Sequence, residues 1–248
     1  MRFGAGTHAM SNSRCVHEKP HMITLATAAP AKTYFLTPAI MLKAYLRGRF
    51  PMILGPQTPD LYRWRRPWSR GILPLDRLHI PRKIKSMIRK DKFEIKVDTA
   101  FREVVRGCAE TTERRAGTWL ADGLCHVFGL LHDEGHTHSV EAWRDGELLG
   151  GLFGTQIGSV WFGESMFIRE PGASQAAFVH LNARLLHGSF TLCDVQWATE
   201  YMRRFGAEEI NHLRYRWRLA IAARKQADFH AMPMDLKGAE ILELLEQH

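Results

Sequence analysis

A carboxylate and a hydroxyl interrupt an otherwise apolar stretch, "WFGESMF", at residues 161–167. The aromatic and apolar ends of this stretch are typical of a buried strand. Burying an unpaired carboxylate costs several kcal/mol, on the order of 3 or more, so Glu164 requires an explanation. We infer from the sequence that Glu164 either has a fixed partner or faces a cavity that uses its charge.

A second polar pair lies in the stretch "CDVQ", at the end of a predicted strand. Asp194 and Gln196 are two residues apart, so we expect their side chains on one face of the strand, with Cys193 and Val195 on the other. By itself this pattern is typical of ordinary solvent exposure. It indicates a site only if Glu164 shares a cavity with the pair.

The histidines form a cluster in the sequence that could suggest a metal site. His126, His132, His136 and His138 lie close together, but Gly135 interrupts the predicted helix inside the group. The HExxH pattern, which places two histidines on one helix face, is missing. We therefore expect no metal, and structural or hydrogen-bonding roles for these histidines.

The glycines of "GGLFGTQIG" could suggest a phosphate-binding loop. Such a loop joins a strand to the start of a helix, because the helix N-terminus contributes to anion binding. Here the glycines lie within and between predicted strands. They favour close approach of another backbone or a ligand over a cradle for a coenzyme pyrophosphate.

The composition is that of a globular protein with a polyanionic partner. The chain has 248 residues, of which 45% are hydrophobic and 24% charged, and a net charge of +8. Nucleic acid is the first candidate partner for such a charge. The four cysteines are widely spaced without a CxxC pair, which favours a reducing cytoplasm. No apolar run approaches the roughly 20 residues of a membrane span.

The N-terminal half contains several predicted helices and one strand. Thr37 as N-cap and Pro38 at the first helical position predict a helix that Gly48 ends. The next segment, residues 55–71, is rich in Pro, Arg and Trp and is predicted to be a loop. A basic helix, the strand "FEIKVD", the helix "TAFREVVRGCAE" and a longer helix ending at Gly135 follow.

The C-terminal half has the clearest pattern, a three-stranded antiparallel meander. Its strands are "HSVEAW", "ELLGGLFGT" and "VWFGESMF", and Asp145-Gly146 marks a tight hairpin turn. A helix that ends at Gly188, the strand "FTLCDVQ" and a helix that ends at Gly206 complete the order β-β-β-α-β-α. This order predicts an α+β fold with a central, mostly antiparallel sheet flanked by helices.

Four parts are expected along the chain. Residues 1–30 are predicted to be a disordered leader, 31–105 a small basic N-terminal domain, 106–225 the catalytic domain and 226–248 a C-terminal tail. We expect a monomer, because no predicted helix carries a spare apolar stripe.

Several strings occur together that are individually weak but jointly specific. They are "AYLRGRFP", "RLHIPRKIK", "KVDTAFREVVRGCAE", "GTWL", "GHTHSVEAW", "ELLGG", "GESMF", "ASQAA", F-x-L-x-D-x-Q and "FGAEEI". The chain thereby resembles the leucyl/phenylalanyl-tRNA–protein transferases over residues 38–215. The resemblance implies a small N-terminal domain and a C-terminal acetyltransferase-like (GNAT-like) domain.

The resemblance also implies an activity. Such enzymes act in the cytoplasm and move leucine or phenylalanine from an aminoacyl-tRNA to the N-terminal Arg or Lys of an acceptor protein. The transfer marks that protein for degradation. An aminoacyl ester is already activated, so no metal and no other cofactor is expected, and no membrane is involved.

The resemblance assigns residues to the site as well. Asp194 and Gln196 would lie at the reacting centre, where Asp194 would orient or deprotonate the amine, and Glu164 would fix polar groups of the ligand or the acceptor. The residues implied for substrate binding are Trp119, Phe128, Leu152, Trp161, Ser165, Met166, Phe178, Leu181, Leu185 and Cys193. Those implied to contact phosphates of the tRNA acceptor stem are Arg82, Lys83, Lys85, Arg89 and Lys90.

Four positions depart from the family pattern. Met52 and Arg65 replace aromatic residues, Gln175 replaces a lysine, and Phe128 replaces a tyrosine. These departures make substrate preference, more than reaction type, the open question. Two alternatives stay open: an acyltransferase of the same fold that uses another acyl donor, and a catalytically silent homologue that only binds tRNA.

Overall fold

The computed structural model describes residues 23–25, 32–34, 36–53, 62–110 and 118–247. The helices are α1 (Pro38–Leu46), α2 (Arg82–Arg89), α3 (Phe101–Ala109), α4 (Asp122–Asp133), α5 (Ala173–His187), α6 (Glu200–Arg203), α7 (His212–Ala222) and α8 (Gly238–Glu246). The strands are β1 (Ile23–Leu25), β2 (Lys32–Tyr34), β3 (Phe50–Ile53), β4 (Tyr62–Arg65), β5 (Ser69–Leu73), β6 (Glu94–Val97), β7 (Thr137–Arg144), β8 (Glu147–Ile157), β9 (Val160–Ile168), β10 (Leu192–Gln196) and β11 (Glu208–Asn211). Among the described helices, none has both the length and the apolar character that a membrane crossing requires.

A seven-stranded sheet forms the centre of the fold, in the order β11-β5-β10-β9-β8-β7-β6. Neighbouring strands are antiparallel except β9 and β10, which are parallel. The predicted meander is β7, β8 and β9, and Asp145 and Gly146 have the positive φ angles of its tight turn. The prediction of an α+β fold with a mostly antiparallel sheet between helices is confirmed.

The two faces of the sheet carry separate apolar cores. On one face, called the α5 face, α2, α5, α6 and α8 pack over Trp161 and Cys193. On the other, called the α7 face, α1, α3, α4 and α7 pack over Phe162 and Ile72. Trp161 and Phe162 are neighbours in β9, so successive residues of this strand alternate between the two cores, as strand geometry requires.

The predicted ends of α1 agree with the structure. The Thr37 Oγ1 atom accepts a hydrogen bond from the backbone N–H of Ile40 at 3.3 Å, and Pro38 occupies the first helical position. Gly48, just past the helix, has a φ of 69°, which glycine adopts without steric cost. This helix matters for function because it carries Tyr45 toward the centre of the sheet.

The loop predicted for residues 55–71 is wrong where the structure describes it. β4 and β5 lie in this segment, and β5 is inserted between β10 and β11. The sequence hides β5 because its buried residues begin with Arg70, which a partner rather than apolar character keeps inside. β11, α7 and α8 were not predicted at all.

Strands from both halves of the chain share the central sheet. β5 and β6 come from the segment predicted as residues 31–105, and the other five strands come from residues 106–225. α8, in the predicted C-terminal tail, contacts α2 and α5. The domain limits themselves stay predictions, and most of the predicted leader, residues 1–22 and 26–30, lies outside the described residues.

Candidate active site

A cavity of about 280 Å³ opens on the α5 face where β9 and β10 separate. It brings together Glu164 and Gln196 with most of the residues predicted for substrate binding. Those that line it are Leu152, Trp161, Ser165, Met166, Phe178, Leu181 and Cys193. The walls are therefore apolar, and a carboxylate and an amide contribute to the lining.

The backbone explains why the strands separate there. The parallel pairing of β9 with β10 ends at Phe162 opposite Asp194. Beyond this point the Nε2 atom of Gln196 donates a hydrogen bond to the carbonyl oxygen of Gly163 at 3.1 Å, in place of a backbone ladder. A side chain thus bridges two strands that no longer pair, and the space beside it is the cavity.

Asp194 and Gln196 do not share a face, so that prediction is wrong. Gln196 has a φ of 63°, and the register between β10 and β5 shifts between Asp194 and Gln196. Gly71 of β5 permits this bend, because a Cβ there would lie 2.3 Å from the backbone nitrogen of Ala198. The irregular backbone turns Gln196 to the cavity together with Cys193, while Asp194 points to the α7 face.

Asp194 is fully buried and is held by three donors. Arg70 donates from Nε to Oδ1 at 2.8 Å and from Nη2 to Oδ2 at 2.7 Å. The Tyr215 hydroxyl donates to Oδ2, and the backbone N–H of Gln196 donates to Oδ1 at 2.8 Å. Burial lowers the pKa of Arg70, but Asp194, Tyr215 and Tyr45 together raise that pKa overall, so the guanidinium stays charged.

Glu164 is buried at the cavity and has one oxygen to spare. Its Oε1 accepts hydrogen bonds from the Tyr45 hydroxyl at 2.7 Å and from Thr155 Oγ1 at 3.0 Å. Its Oε2 is buried and has no hydrogen-bond partner among the described residues. Burial raises the pKa of Glu164 to about 7, although the two hydrogen bonds favour the charged form. Such a carboxyl group can hold a cationic ligand group or exchange a proton with it near neutral pH.

Known proteins with similar sequences share one family description. The family model described as leucyl/phenylalanyl-tRNA protein transferase matches residues 72–220. The chain belongs to this family. Relatives called leucyl/phenylalanyl-tRNA–protein transferase include one from Nitrobacter winogradskyi, 44% identical over 85% of this chain and 94% of the relative. One from Paramagnetospirillum magneticum is 46% identical over 78% and 92%, and one from Maricaulis maris is 41% identical over 84% and 95%.

Membership in this transferase family confirms the resemblance found in the sequence. The chain is an enzyme, an aminoacyltransferase. Glu164, Asp194 and Gln196 all lie within the part that the family model matches, whereas Tyr45 and Arg70 precede it. The site therefore combines the matched region with two residues from upstream of it.

Three residues of the candidate site were missed in the sequence. Tyr45, Arg70 and Tyr215 complete the hydrogen-bonded network around Asp194 and Glu164. Arg70 is 124 residues from Asp194 along the chain, so no local spacing connects them. The one available signal was chemical: a carboxylate in an apolar strand requires a buried cation, and the arginines of residues 63–70 were candidates.

Three residues predicted for substrate binding lie elsewhere. Trp119 packs edge-on against Phe128 on the α7 face, with ring centroids 6.2 Å apart. Leu185 is fully buried in the core of the α5 face. None of the three lines the cavity, and their proposed contacts with substrate stay predictions.

The basic residues predicted to contact tRNA lie on or just after α2. Arg82, Lys83, Arg89 and Lys90 are exposed, while Ile84, Met87 and Ile88 pack against the core. Lys85 instead forms an ion pair with Glu246 of α8 at 2.8 Å. An exposed row of cations is therefore available, with Lys85 already neutralised in part.

Two of the four clustered histidines, His132 and His138, form the side-chain hydrogen bonds expected of the group. His132 Nδ1 lies 2.7 Å from the Thr137 carbonyl oxygen, and His138 Nδ1 lies 2.7 Å from Asp98 Oδ2. Asp98, His138 and His230 offer three atoms within 4.8 Å of one another that could hold a metal. Because the His138–Asp98 hydrogen bond already joins two of these atoms, the expectation of no metal is kept as a prediction.

Proposed function

We propose that this enzyme transfers leucine or phenylalanine from aminoacyl-tRNA to the N-terminal Arg or Lys of acceptor proteins. We further propose that it acts in the cytoplasm, as a monomer, and marks its acceptors for degradation. The observation that carries the proposal is the apolar cavity with Glu164 and Gln196 in its wall. The family's shared name supports the choice of donor and reaction.

The cavity suits the side chain of the transferred amino acid. Phe178, Leu181 and Cys193 are apolar parts of its wall, and its volume of about 280 Å³ has room for a leucine or phenylalanine side chain. Burying such a side chain contributes about 1.5–3 kcal/mol. Polar side chains would lose their hydration against the apolar part of the wall, so that part selects against them.

The reaction requires alignment of the acceptor amine with the ester more than activation of the ester. The neutral α-amine of the acceptor attacks the ester carbonyl carbon, a C–N bond forms, and the C–O bond to the terminal ribose breaks. The amine nitrogen loses a proton and the ribose oxygen gains one. Because the ester is already activated, holding the two substrates in contact supplies most of the acceleration, on the order of 7 kcal/mol or more.

Glu164 and Gln196 would hold the reacting groups in this proposal. The buried, unpartnered Oε2 of Glu164 would accept a hydrogen bond from the cationic N-terminal amine. Its pKa of about 7 lies close to that of a free α-amine, about 8, so a proton passes between them at small cost. Gln196 is fixed through Nε2 on Gly163, which leaves its amide oxygen for the ligand.

Asp194 acts through its neighbours in this account. Both of its oxygens already accept hydrogen bonds, from Arg70, Tyr215 and Gln196. The bond to the backbone N–H of Gln196 stabilises the left-handed conformation that turns Gln196 to the cavity. Asp194 is therefore a positioning residue for Gln196, and this role replaces the direct action on the amine that the resemblance implied.

Further parts of the proposal concern the fold and the tRNA. The order β7-β8-β9-α5-β10-α6, with a parallel pair that separates beside the cavity, supports a GNAT-like catalytic domain preceded by a small N-terminal domain. The exposed cations Arg82, Lys83, Arg89 and Lys90 would contact phosphates of the acceptor stem.

The experiment mixes the purified protein with labelled leucyl-tRNA and a peptide that begins with Arg. We expect transfer by the wild type and by Gln226→Ala, a control at an exposed glutamine away from the cavity. Gln196→Ala should lower the rate about 100-fold, because alignment is lost. Binding of tRNA without transfer by the wild type, or transfer from acyl-CoA alone, would contradict the proposal.

A further inference from the structure

An exposed apolar stripe runs along α7, a helix that was not predicted, so the reason given for expecting a monomer was wrong. Leu213, Trp217 and Ile221 are four residues apart and so lie on one side of the helix, with exposed fractions of 80%, 65% and 40%. Trp68, which is 85% exposed, lies beside the start of α7, because its carbonyl oxygen accepts a hydrogen bond from the His212 N–H at 2.8 Å. We call these four residues the α7 stripe.

Packing within the chain does not account for the α7 stripe. The opposite side of the helix carries Tyr215, Leu219 and Ala222, which are buried and hold α7 on the sheet. Single exposed apolar residues are ordinary, but three on one side of a helix, with a second tryptophan near the start of that helix, are typical of a binding surface.

Arginines accompany the α7 stripe. Arg66 precedes Trp68 by two residues, and Arg216 lies on α7, where its Nη1 atom donates a hydrogen bond to the Leu46 carbonyl oxygen at 2.7 Å. Arg214 and Arg218 lie on the same helix. Within the described part of the chain, none of these four arginines forms an ion pair with an acidic side chain. The surface therefore combines apolar rings with uncompensated positive charge.

Topology places one end of the α7 stripe at the same end of the sheet as the cavity. β10 and β11 are both antiparallel to β5, which lies between them, so the end of β10 and the end of β11 coincide with the start of β5. Gln196, His212 and Trp68 mark these three points. On the inner side of α7, the Tyr215 hydroxyl donates to Asp194, so the helix packs against the network that positions Gln196.

We propose that the α7 stripe and its arginines bind the tRNA, as a second contact on the opposite face of the sheet from α2. This inference rests on the proposed function, because it takes aminoacyl-tRNA as the substrate. Phosphates would pair with the arginines, and unstacked bases would stack on Trp68 and Trp217. An anionic membrane surface offers related chemistry, but only the tRNA must also reach the cavity at this end of the sheet.

The first experiment measures the affinity for uncharged tRNA at several salt concentrations. Trp217→Ala should weaken binding about tenfold, the usual effect of losing one stacking contact. Arg214→Gln should reduce the slope of log affinity against log salt by about 0.7–0.9, as expected for one lost phosphate contact. The matched control is Arg106→Gln on α3, which removes the same charge from another exposed site and should leave the slope unchanged.

The second experiment separates tRNA binding from damage to the reacting centre. It measures transfer from leucyl-adenosine, a short donor that lacks the tRNA body, to the Arg peptide. Trp217→Ala should keep this transfer within about twofold of the wild type, as for other surface substitutions, while losing transfer from leucyl-tRNA. An equal loss with both donors would overturn the inference.

Two other outcomes would also overturn the inference. One is unchanged tRNA affinity in both stripe variants. The other is binding of the wild type to phosphatidylserine vesicles that Trp217→Ala abolishes while tRNA affinity stays the same. Stripe-dependent tRNA binding by a wild-type protein that transfers nothing would instead support the inference and refute the proposed function.

Discussion

Two neighbouring residues of β10 lie in opposite kinds of environment. Cys193 lines the apolar cavity on the α5 face, whereas Asp194 is enclosed on the α7 face by Arg70 and Tyr215. One side of the strand leaves space for a ligand, and the other side satisfies both oxygens of a buried carboxylate. The difference indicates that the two faces have separate tasks. The cavity binds the donor side chain, and the Asp194 network on the other face aligns Gln196, which reaches the cavity.

The largest change in stability is expected for the hydrogen-bonded network around Asp194. Arg70→Met would leave Asp194 buried without its cation, and removing one partner of a buried ion pair costs about 3–5 kcal/mol of the free energy of unfolding. Urea denaturation measures this cost. The double variant Arg70→Met, Asp194→Leu should recover much of it, since neither charge then remains. A loss under about 1 kcal/mol in the single variant would contradict the role given to the pair.

The cavity side should respond less to truncation than the packed core beside it. Leu185→Ala should lower the free energy of unfolding by about 3 kcal/mol, because Leu185 is enclosed on all sides. Leu181→Ala should cost less, because Leu181 already borders an open space. Leu181→Ala alone should also shift preference toward larger donor side chains. Equal costs for the two variants in denaturation would remove the distinction between cavity and core.

The free energy of unfolding should depend on pH through Glu164, which lines the cavity and accepts a hydrogen bond from Tyr45 of α1. Its pKa is about 7 in the folded protein, against 4.5 for the ordinary group, so the folded state keeps a proton that the unfolded chain has lost. The free energy of unfolding should therefore fall as pH rises from about 4.5 to about 7, by at most about 3 kcal/mol, and then level off. Denaturation at pH 5 and pH 8 measures this.

Glu164→Gln is the matched variant for this pH effect. It keeps the shape of the side chain and an oxygen for Tyr45, but it cannot ionise. The contribution of residue 164 to the pH dependence should therefore disappear, and the variant should be more stable than the wild type at pH 8. An unchanged pH profile would mean that Glu164 titrates normally.

The parts of the fold that local patterns determine were predictable from the sequence. Thr37-Pro38 gave the start of α1, and Asp145-Gly146 gave the turn of the meander. The bend at Gln196 was not predictable, because it depends on Gly71 of a strand from the other half of the chain. Of the three polar residues expected at one cavity, Glu164 and Gln196 line it, whereas Asp194 does not.

The hydrogen-bonded network around Asp194 and Glu164 could not be predicted either, because it also depends on residues that are far apart in the sequence. The partners Tyr45 and Arg70 reach Glu164 and Asp194 across more than a hundred residues, at separations of 119 and 124. Such pairs arise only when the sheet assembles, and no spacing in the sequence records them. α7, which carries Tyr215, was also missed, because its alternating arginines conceal the buried positions.

The smallest effect is expected for the exposed ion pair between Lys85 and Glu246, in contrast with the buried pair of Arg70 and Asp194. Glu246→Gln should change the free energy of unfolding by less than about 1 kcal/mol, because solvent screens exposed charges. The variant should bind tRNA more tightly, since it frees Lys85 for phosphate. Weaker tRNA binding by Glu246→Gln would argue against a role for α2.

The central claim is that the cavity binds the donor side chain, while the Asp194 network aligns Gln196. It is tested most directly by filling the cavity with a larger side chain. The measurement compares kcat/KM of Leu181→Trp for two short donors, leucyl-adenosine and alanyl-adenosine, with an Arg peptide as acceptor. The account predicts that leucine transfer falls about tenfold or more while alanine transfer changes little, because only the side-chain space is lost. An equal fall for both donors, or no fall for either, would contradict it.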